Sequence, residues 1–167
     1  MAARPMPGCR TLPDDCPRPM TAPADDLDRI MAVMAAAFDP AYGEAWSRRQ
    51  VEDALVIGNC HYGLVSRGED CAGFYLSRSA VEEEELLLLA VSPAHRSKGY
   101  GQQLLADFAS QAEIRGARRL LLEMRRGNPA EKLYRANGFT QIGARPNYYR
   151  SANGERIDAL TFACDVA

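Results

Sequence analysis

Histidine is nearly missing from this sequence: His61 and His95 are its two copies in 167 residues, too few and too far apart to suggest a metal centre by themselves. The five cysteines, at positions 9, 16, 60, 71 and 164, are odd in number and show neither CxxC nor CxxH spacing. That argues against a zinc site and against a secreted disulfide framework, and for reduced thiols in a cytoplasm. No apolar run approaches the roughly 20 residues that a membrane span needs. The first residues also lack the apolar core of a signal peptide. With a net charge of −2 there is no overall basic field to attract nucleic acid.

What is present is ordinary for a globular protein: 47% hydrophobic and 25% charged residues, in a chain with room for one domain and a sizeable core. Residues 1–23 stand apart, holding six of the ten prolines (Pro5, Pro7, Pro13, Pro17, Pro19, Pro23). Such a stretch cannot nucleate a helix, so a poorly ordered leader is expected there. Met6 and Met20 are alternative starts, and a first strand around Arg18–Thr21 is left open. A single domain is expected over 24–167.

From Asp25 the pattern turns regular. Leu27, Ile30, Met31, Met34 and Phe38 recur at helical spacing, predicting a helix that ends near Asp39-Pro40. Ser47-Arg-Arg-Gln50 reads as a capping box with Trp46 and Val51 as its hydrophobic staple, opening a second helix to about Ile57. Strands are then predicted over Cys60–Ser66 and Cys71–Ser79, joined by a turn at Arg67–Asp70. Glu82–Glu85 reads as a solvated charged loop. The unbroken apolar run Leu86–Val91 suits a central strand buried on both faces. A third helix is expected from about Gly99 to Arg115, with Leu104, Leu105, Phe108 and Ala112 on one side. A strand over Arg119–Met124 follows. Asn128-Pro129 reads as N-cap and first position of a short helix closed by Gly138. Phe139–Ala144 and Asp158–Val166 complete an α/β outline: a mixed sheet of six or seven strands flanked by about four helices.

Val91-Ser-Pro-Ala-His-Arg-Ser-Lys-Gly-Tyr-Gly-Gln102 is the most informative stretch. A strand ends, a loop with two glycines follows, and an amphipathic helix begins at once. The N–H groups at a helix start lack intrahelical partners and lie at the positive end of its dipole. Gly99 and Gly101 let the backbone approach an anion, and Arg96 and Lys98 add charge, so a pyrophosphate is the natural occupant. The same glycines would equally serve a tight strand-to-helix turn with no ligand. A P-loop is disfavoured because GxxxxGK[ST] is absent. A dinucleotide fold is disfavoured because the third glycine is missing and the pattern follows a hairpin in mid-chain.

Arg96-x-x-Gly99-x-Gly101 is similar to the Q/R-x-x-G-x-G/A motif of the GNAT acetyltransferases. Leu89-Ala-Val91 before it, and Leu122-Glu-Met-Arg125, Asn128, Leu133-Tyr134 and Gly138-Phe139 after it, follow in that family's order. The resemblance is close over about Glu85–Tyr149 and looser before it. It implies the acyl-CoA N-acyltransferase fold and acetyl-CoA as cosubstrate, with no metal. The pantetheine arm would lie in a splay between Leu86–Val91 and Arg119–Met124, held by Leu89, Ala90 and Val91. The pyrophosphate would sit on the N–H groups of Ser97, Lys98, Gly99, Tyr100, Gly101 and Gln102. Asn128 would contact the cofactor too, but here it stands six residues before the tyrosine where the family usually has seven, so that a helix cap is its alternative role.

Attack on a thioester needs a neutral amine, and an α-amino group has a pKa of about 8. Glu123 is the candidate base, because a charge in Leu120-Leu-Leu-Glu-Met124 is costly unless it faces a polar cleft. The alternative is a solvent-side carboxylate, or one paired with Arg125. By resemblance Tyr134 would protonate the departing thiolate; the alternative is a core aromatic beside Leu133. Tyr42-Gly-Glu-Ala-Trp46-Ser and Arg145-Pro-Asn-Tyr148-Tyr149 resemble the RimI branch of the family, with the second segment expected in a loop lining an acceptor channel. Trp46, Tyr148 and Tyr149 are therefore the candidate substrate-binding residues. Gly154-Glu-Arg-Ile-Asp158-Ala-Leu resembles that branch's G-x-E-D-A-L segment, with Ile157 where an acidic residue is usual. The branch implies a protein N-terminus as partner, specifically the N-terminal alanine of ribosomal protein bS18. A small-molecule amine as acceptor, or a silent acetyl-CoA-binding module, remain the alternatives.

Overall fold

The computed structural model describes residues 24–166, so the proline-rich stretch and the strand considered near Arg18–Thr21 lie outside the described residues. Four helices, α1 (Ala24–Ala37), α2 (Arg48–Val56), α3 (Tyr100–Ile114) and α4 (Glu131–Ala136), accompany six strands. The strands are β1 (Cys60–Arg67), β2 (Asp70–Ala80), β3 (Glu83–Val91), β4 (Arg119–Arg125), β5 (Thr140–Arg150) and β6 (Arg156–Asp165). They form one sheet in the order β1-β2-β3-β4-β6-β5, in which β3 and β4 are the parallel neighbours and the other pairs are antiparallel.

The sheet is sandwiched between two apolar cores. On one face α1 and α2 bury Leu27, Ile30, Val33, Met34, Val51 and Leu55 against Phe74, Leu76, Leu88 and Ala90. On the other, α3 sets Leu104, Leu105, Phe108 and Ala112 against Tyr75, Leu86, Leu120 and Leu122, joined by Tyr134 of α4. The helical spacing read from α1 and α3 thus marks the faces that leave water, at roughly 1.5–3 kcal/mol per fully buried large side chain. The capping box of α2 forms: Ser47 Oγ accepts from the Gln50 N–H at 3.3 Å, and the Ser47 N–H donates to Gln50 Oε1 at 2.8 Å. Trp46 and Val51 pack in the same core, as a staple requires.

Four expectations are corrected. Glu82–Glu85 is not a solvated loop, because β3 already begins at Glu83. Glu84 is fully buried and accepts from Ser77 Oγ at 2.6 Å and from Arg115 Nε and Nη2 at 2.9 and 2.5 Å. Charge alone suggested solvent; a guanidinium fork from Arg115, just past the end of α3, supplies the partner that lets the carboxylate leave it. β3 is not buried on both faces: its buried residues alternate with half-buried ones, since one side of its C-terminal half opens onto a cleft. Arg145–Tyr149 is not a free loop but part of β5, which runs to Arg150. Finally, α4 starts at Glu131 rather than Pro129, although Asn128 Oδ1 still accepts from the Ala130 N–H at 2.9 Å and shapes the turn leading in.

One irregularity positions the site. Leu76 faces Leu88 but Ser77 faces Leu86, so Leu87 is an extra residue that bulges β3. Pairing between β3 and β4 runs from Glu83↔Arg119 to Leu86↔Leu122 and stops at that bulge. A bulge bends its strand and increases local twist. Beyond it, Leu87–Val91 and Glu123–Arg125 diverge, leaving a V-shaped opening in the middle of the sheet.

Candidate functional site

The opening leads into two adjoining cavities. The larger, of about 650 Å³, is lined by Leu89, Ala90 and Val91 on one arm of the V and Arg125 on the other, with Arg96, Gly101, Asn128, Pro129 and Leu133 around it. The smaller, of about 320 Å³, is lined by Leu87, Leu88 and Leu89, by Glu123, and by Trp46, Gln50, Tyr148 and Tyr149. Phe38, Glu44, Leu89, Asn128 and Tyr134 line both, so the two spaces meet at the tyrosine.

The glycine loop sits at one end of the larger cavity. Ser97 (φ 58°) and Gly99 (φ 85°) are both left-handed, with Lys98 between them. Alternation of this kind turns successive N–H groups toward one concavity and suits an anion, and the N-terminus of α3 adds its dipole. Gly99 precedes the helix with no side-chain cap, leaving the first-turn amides of Tyr100, Gly101 and Gln102 without intrahelical partners. Gly101 has a further cause: a Cβ there would lie 3.3 Å from Leu133 Cδ2, so its bareness lets α3 and the Tyr134 helix come close. The basic side chains are tied down locally. Arg96 donates from Nη2 to Ala37 O at 3.0 Å and from Nε to Val91 O at 3.4 Å, clasping the end of α1 to β3. Lys98 Nζ donates to Ala94 O at 2.8 Å. Tyr100 stacks edge-on against His95, and Gln102 exchanges hydrogen bonds with Asn137 at 2.6 and 2.8 Å. Of the expected cofactor residues, Leu89, Ala90, Val91, Arg96, Gly101 and Asn128 line the larger cavity; Ser97, Lys98, Gly99, Tyr100 and Gln102 form the loop beside it.

Tyr134 is buried, its ring edge-on to Phe139. Burial first, and the negative charge of Glu44 second, push its phenol up to about 12. The hydroxyl is therefore firmly protonated at neutral pH, at the junction of the two cavities. Glu123, on β4, points into the smaller cavity, where its Oε2 accepts from Thr161 Oγ1 at 3.4 Å and lies 3.4 Å from Arg145 Nε. The considered pairing of Glu123 with Arg125 does not form. Arg125 instead meets Glu44 at 3.2 Å, with its guanidinium 3.7 Å above the Tyr42 ring. Tyr148 and Tyr149 pack edge-on at 5.1 Å, and burial followed by the charges of Glu123 and Glu44 pushes the Tyr149 phenol up to about 12. Trp46, Tyr148 and Tyr149, expected to contact an acceptor, all line the smaller cavity with Glu123.

Sequence reasoning missed Glu44 as the second carboxylate of the cleft and, weighing Arg125 only against Glu123, missed the Glu44–Arg125 pair. The available signal was an acidic residue two positions ahead of Trp46, next to a capping box that aims the segment at the sheet. It also passed over Arg145, the first residue of the Arg145–Tyr149 segment. Among the described residues no group of three or more metal-ligating side chains occurs, and no helix is long and apolar enough to cross a membrane.

Comparison with known proteins gives consistent relatives. Residues 57–141 match the family model described as an acetyltransferase (GNAT) domain. A [ribosomal protein bS18]-alanine N-acetyltransferase of Haemophilus ducreyi is 38% identical over 96 residues, 57% of this chain and 66% of that protein, just short of two thirds of its length. The Escherichia coli protein of the same name is 30% identical over 128 residues, 76% of this chain and 85% of its own. The crystal structure of the ribosomal-protein-S18-alanine N-acetyltransferase from Escherichia coli superposes with a TM-score of 0.78 at 26% identity, covering 88% of this chain and 92% of that one.

Proposed function

This chain belongs to the GNAT family of acetyl-CoA-dependent N-acetyltransferases, and from that premise we propose that it acetylates the α-amine of a protein N-terminus, specifically the N-terminal alanine of ribosomal protein bS18 in the cytoplasm. The observation that carries this reading is the meeting of two cavities at Tyr134, one leading to the glycine loop and the other holding Glu123. A cosubstrate with an anionic head and a long arm suits the first, and an amine suits the second.

In this mechanism the loop amides of Ser97 to Gln102 hold the pyrophosphate, and the β3 backbone at Leu89 to Val91 lines the arm. Glu123, directly or through a water, accepts the proton of the acceptor ammonium. The freed amine lone pair attacks the thioester carbonyl carbon, the C–S bond breaks with its electron pair going to sulfur, and Tyr134 gives the thiolate its proton. The second proton, shed by nitrogen as it becomes a neutral amide, returns through water to the Tyr134 phenolate. Glu44 is paired with Arg125, so Glu123, whose Arg145 partner is largely exposed, is the carboxylate left to attract a cationic amine, and Trp46, Tyr148 and Tyr149 offer flat apolar surface to the first residues of a peptide.

The test is release of coenzyme A with an alanine-starting bS18 peptide against a panel of polyamines. Turnover of the peptide supports the proposal. Turnover of polyamines alone removes the peptide acceptor, and acetyl-CoA binding without turnover of any amine removes the catalytic reading. Glu123→Gln is expected to slow kcat by about 100-fold or more while acetyl-CoA affinity holds; a wild-type rate discards Glu123 as the base.

A further inference from the structure

After an earlier irregularity between Gln141 and Gly143, β5 and β6 keep register from Gly143 to Arg145, which faces Ala159, and the next pair is Tyr149↔Ile157. Four steps along β5 answer two along β6, so residues 146–148 arch out of the ladder. Their crest is Asn147, left-handed at φ 58°. The β6 residue opposite the arch is Asp158. Its Oδ1 accepts from the Asn147 N–H at 3.0 Å, and its Oδ2 lies 3.3 and 3.2 Å from Nε and Nη2 of Arg126. Arg126 follows the last residue of β4, and its own N–H donates to Asp158 O at 2.8 Å. Arg156 Nη1 closes the arch from the other side by donating to Asn147 O at 3.4 Å. One carboxylate therefore joins the arch that carries Tyr148 and leads into Tyr149 to the end of the strand that carries Glu123. The Asn147 amide, first among the causes, holds the Asp158 carboxyl below its ordinary range, so the tie is charged at neutral pH.

We propose that Asp158 is a positioning residue for the acceptor: by pinning the Pro146–Tyr148 arch to Arg126, it sets the distance between the Tyr148/Tyr149 wall and Glu123. This rests on the acetyl-transfer reading above. Asp158 does not line either cavity, so it acts through the arch rather than by touching the acceptor. Asparagine is among the non-glycine residues that take the left-handed conformation most readily, and here the Asp158 oxygen and the Arg156 guanidinium hold both ends of its peptide groups. Without Asp158 the arch relaxes and the aromatic wall is formed in a smaller fraction of molecules, so the peptide binds more weakly while a bound peptide still meets the base.

The experiment compares wild type, Asp158→Ala and Asp158→Asn by two readouts. Amide hydrogen exchange at Asn147, which needs no turnover, should speed up in Asp158→Ala and stay slow in Asp158→Asn, whose side-chain oxygen still accepts. In steady-state kinetics, Asp158→Ala should raise KM for the bS18 peptide about tenfold, the scale of one lost charge-assisted hydrogen bond. Its kcat should stay within about twofold and its acetyl-CoA affinity should hold, since neither Glu123, Tyr134 nor the glycine loop is touched. Asp158→Asn should recover most of the peptide KM. Equal exchange in all three proteins overturns the pin, whatever their activity. Faster exchange with an unchanged peptide KM overturns the link to the acceptor. The expected exchange pattern across the three proteins, with no peptide acetylated by wild type, overturns the acetyl-transfer reading and leaves the pin standing.

Discussion

Replacing Tyr134 with phenylalanine separates chemistry from packing at the point where the two cavities meet. The ring is 6% exposed and packs against Phe139, and phenylalanine keeps that ring while deleting one oxygen. Among the described residues the hydroxyl has no hydrogen-bond partner to lose, so the cost to stability should stay within about 1 kcal/mol. The effect on turnover should be far larger. Burial and the neighbouring Glu44 move the phenol from 10.0 to about 12, which corresponds to roughly 3 kcal/mol favouring the neutral form inside the fold. A proton is thus always available for a leaving thiolate at neutral pH, and its removal should slow kcat by about 100- to 10,000-fold. The sign of the pH effect follows. Because the folded value lies above the unfolded one, the protonated phenol persists in the fold through pH 10 and is lost only as pH rises toward about 12. The wild-type rate should therefore show no alkaline fall from this group below about pH 11. The assay is thiol-detected release of coenzyme A across pH 6–10, on the order of tens of points, with acetyl-CoA affinity measured by calorimetry. Wild-type kcat in Tyr134→Phe, or a matching loss of acetyl-CoA affinity, refutes the reasoning and leaves Tyr134 as packing.

Two further outcomes test the surroundings. Glu84→Ala leaves the buried Ser77 hydroxyl without its acceptor and releases the Arg115 guanidinium, which already reaches solvent, so it should cost about 1–3 kcal/mol and lower Tm by roughly 5 °C. A shift under about 2 °C in a thermal melt shows the pair to be dispensable. Gly99→Val forces a β-branched residue to φ 85° at a place where no neighbour obstructs a Cβ, so its penalty is conformational, about 1–2 kcal/mol. It should raise KM for acetyl-CoA several-fold with a smaller effect on kcat, and an unchanged KM in steady-state assays discounts the loop as the pyrophosphate seat.

The helices were legible because their cause is local. Leu27, Ile30 and Met34, or Leu104, Phe108 and Ala112, recur at a spacing that places them on one side of a cylinder, and the Ser47–Gln50 capping box needs only residues three apart. Glu84 misled for the same reason: its partner Arg115 lies 31 positions away, and nothing near Glu84 announces it. The Arg145–Tyr149 segment reads as a loop in isolation, with Pro146 and Asn147 inside it. It is part of β5 because β6 offers a ladder on both sides of the arch and Asp158 offers an acceptor to the arch itself.

The glycine loop, the cap, the apolar faces and the chemical identity of the candidate acid and base are written into the chain order, since each depends on residue type at short range. Which carboxylates share the cleft was decided only by the folded sheet. Glu44 and Glu123 come together because β3 bulges at Leu87, parts from β4, and lets the segment before α2 close over the gap, where Arg125 catches it. Bulge, splay and catch act between residues tens of positions apart, and no local spacing rule encodes such contacts.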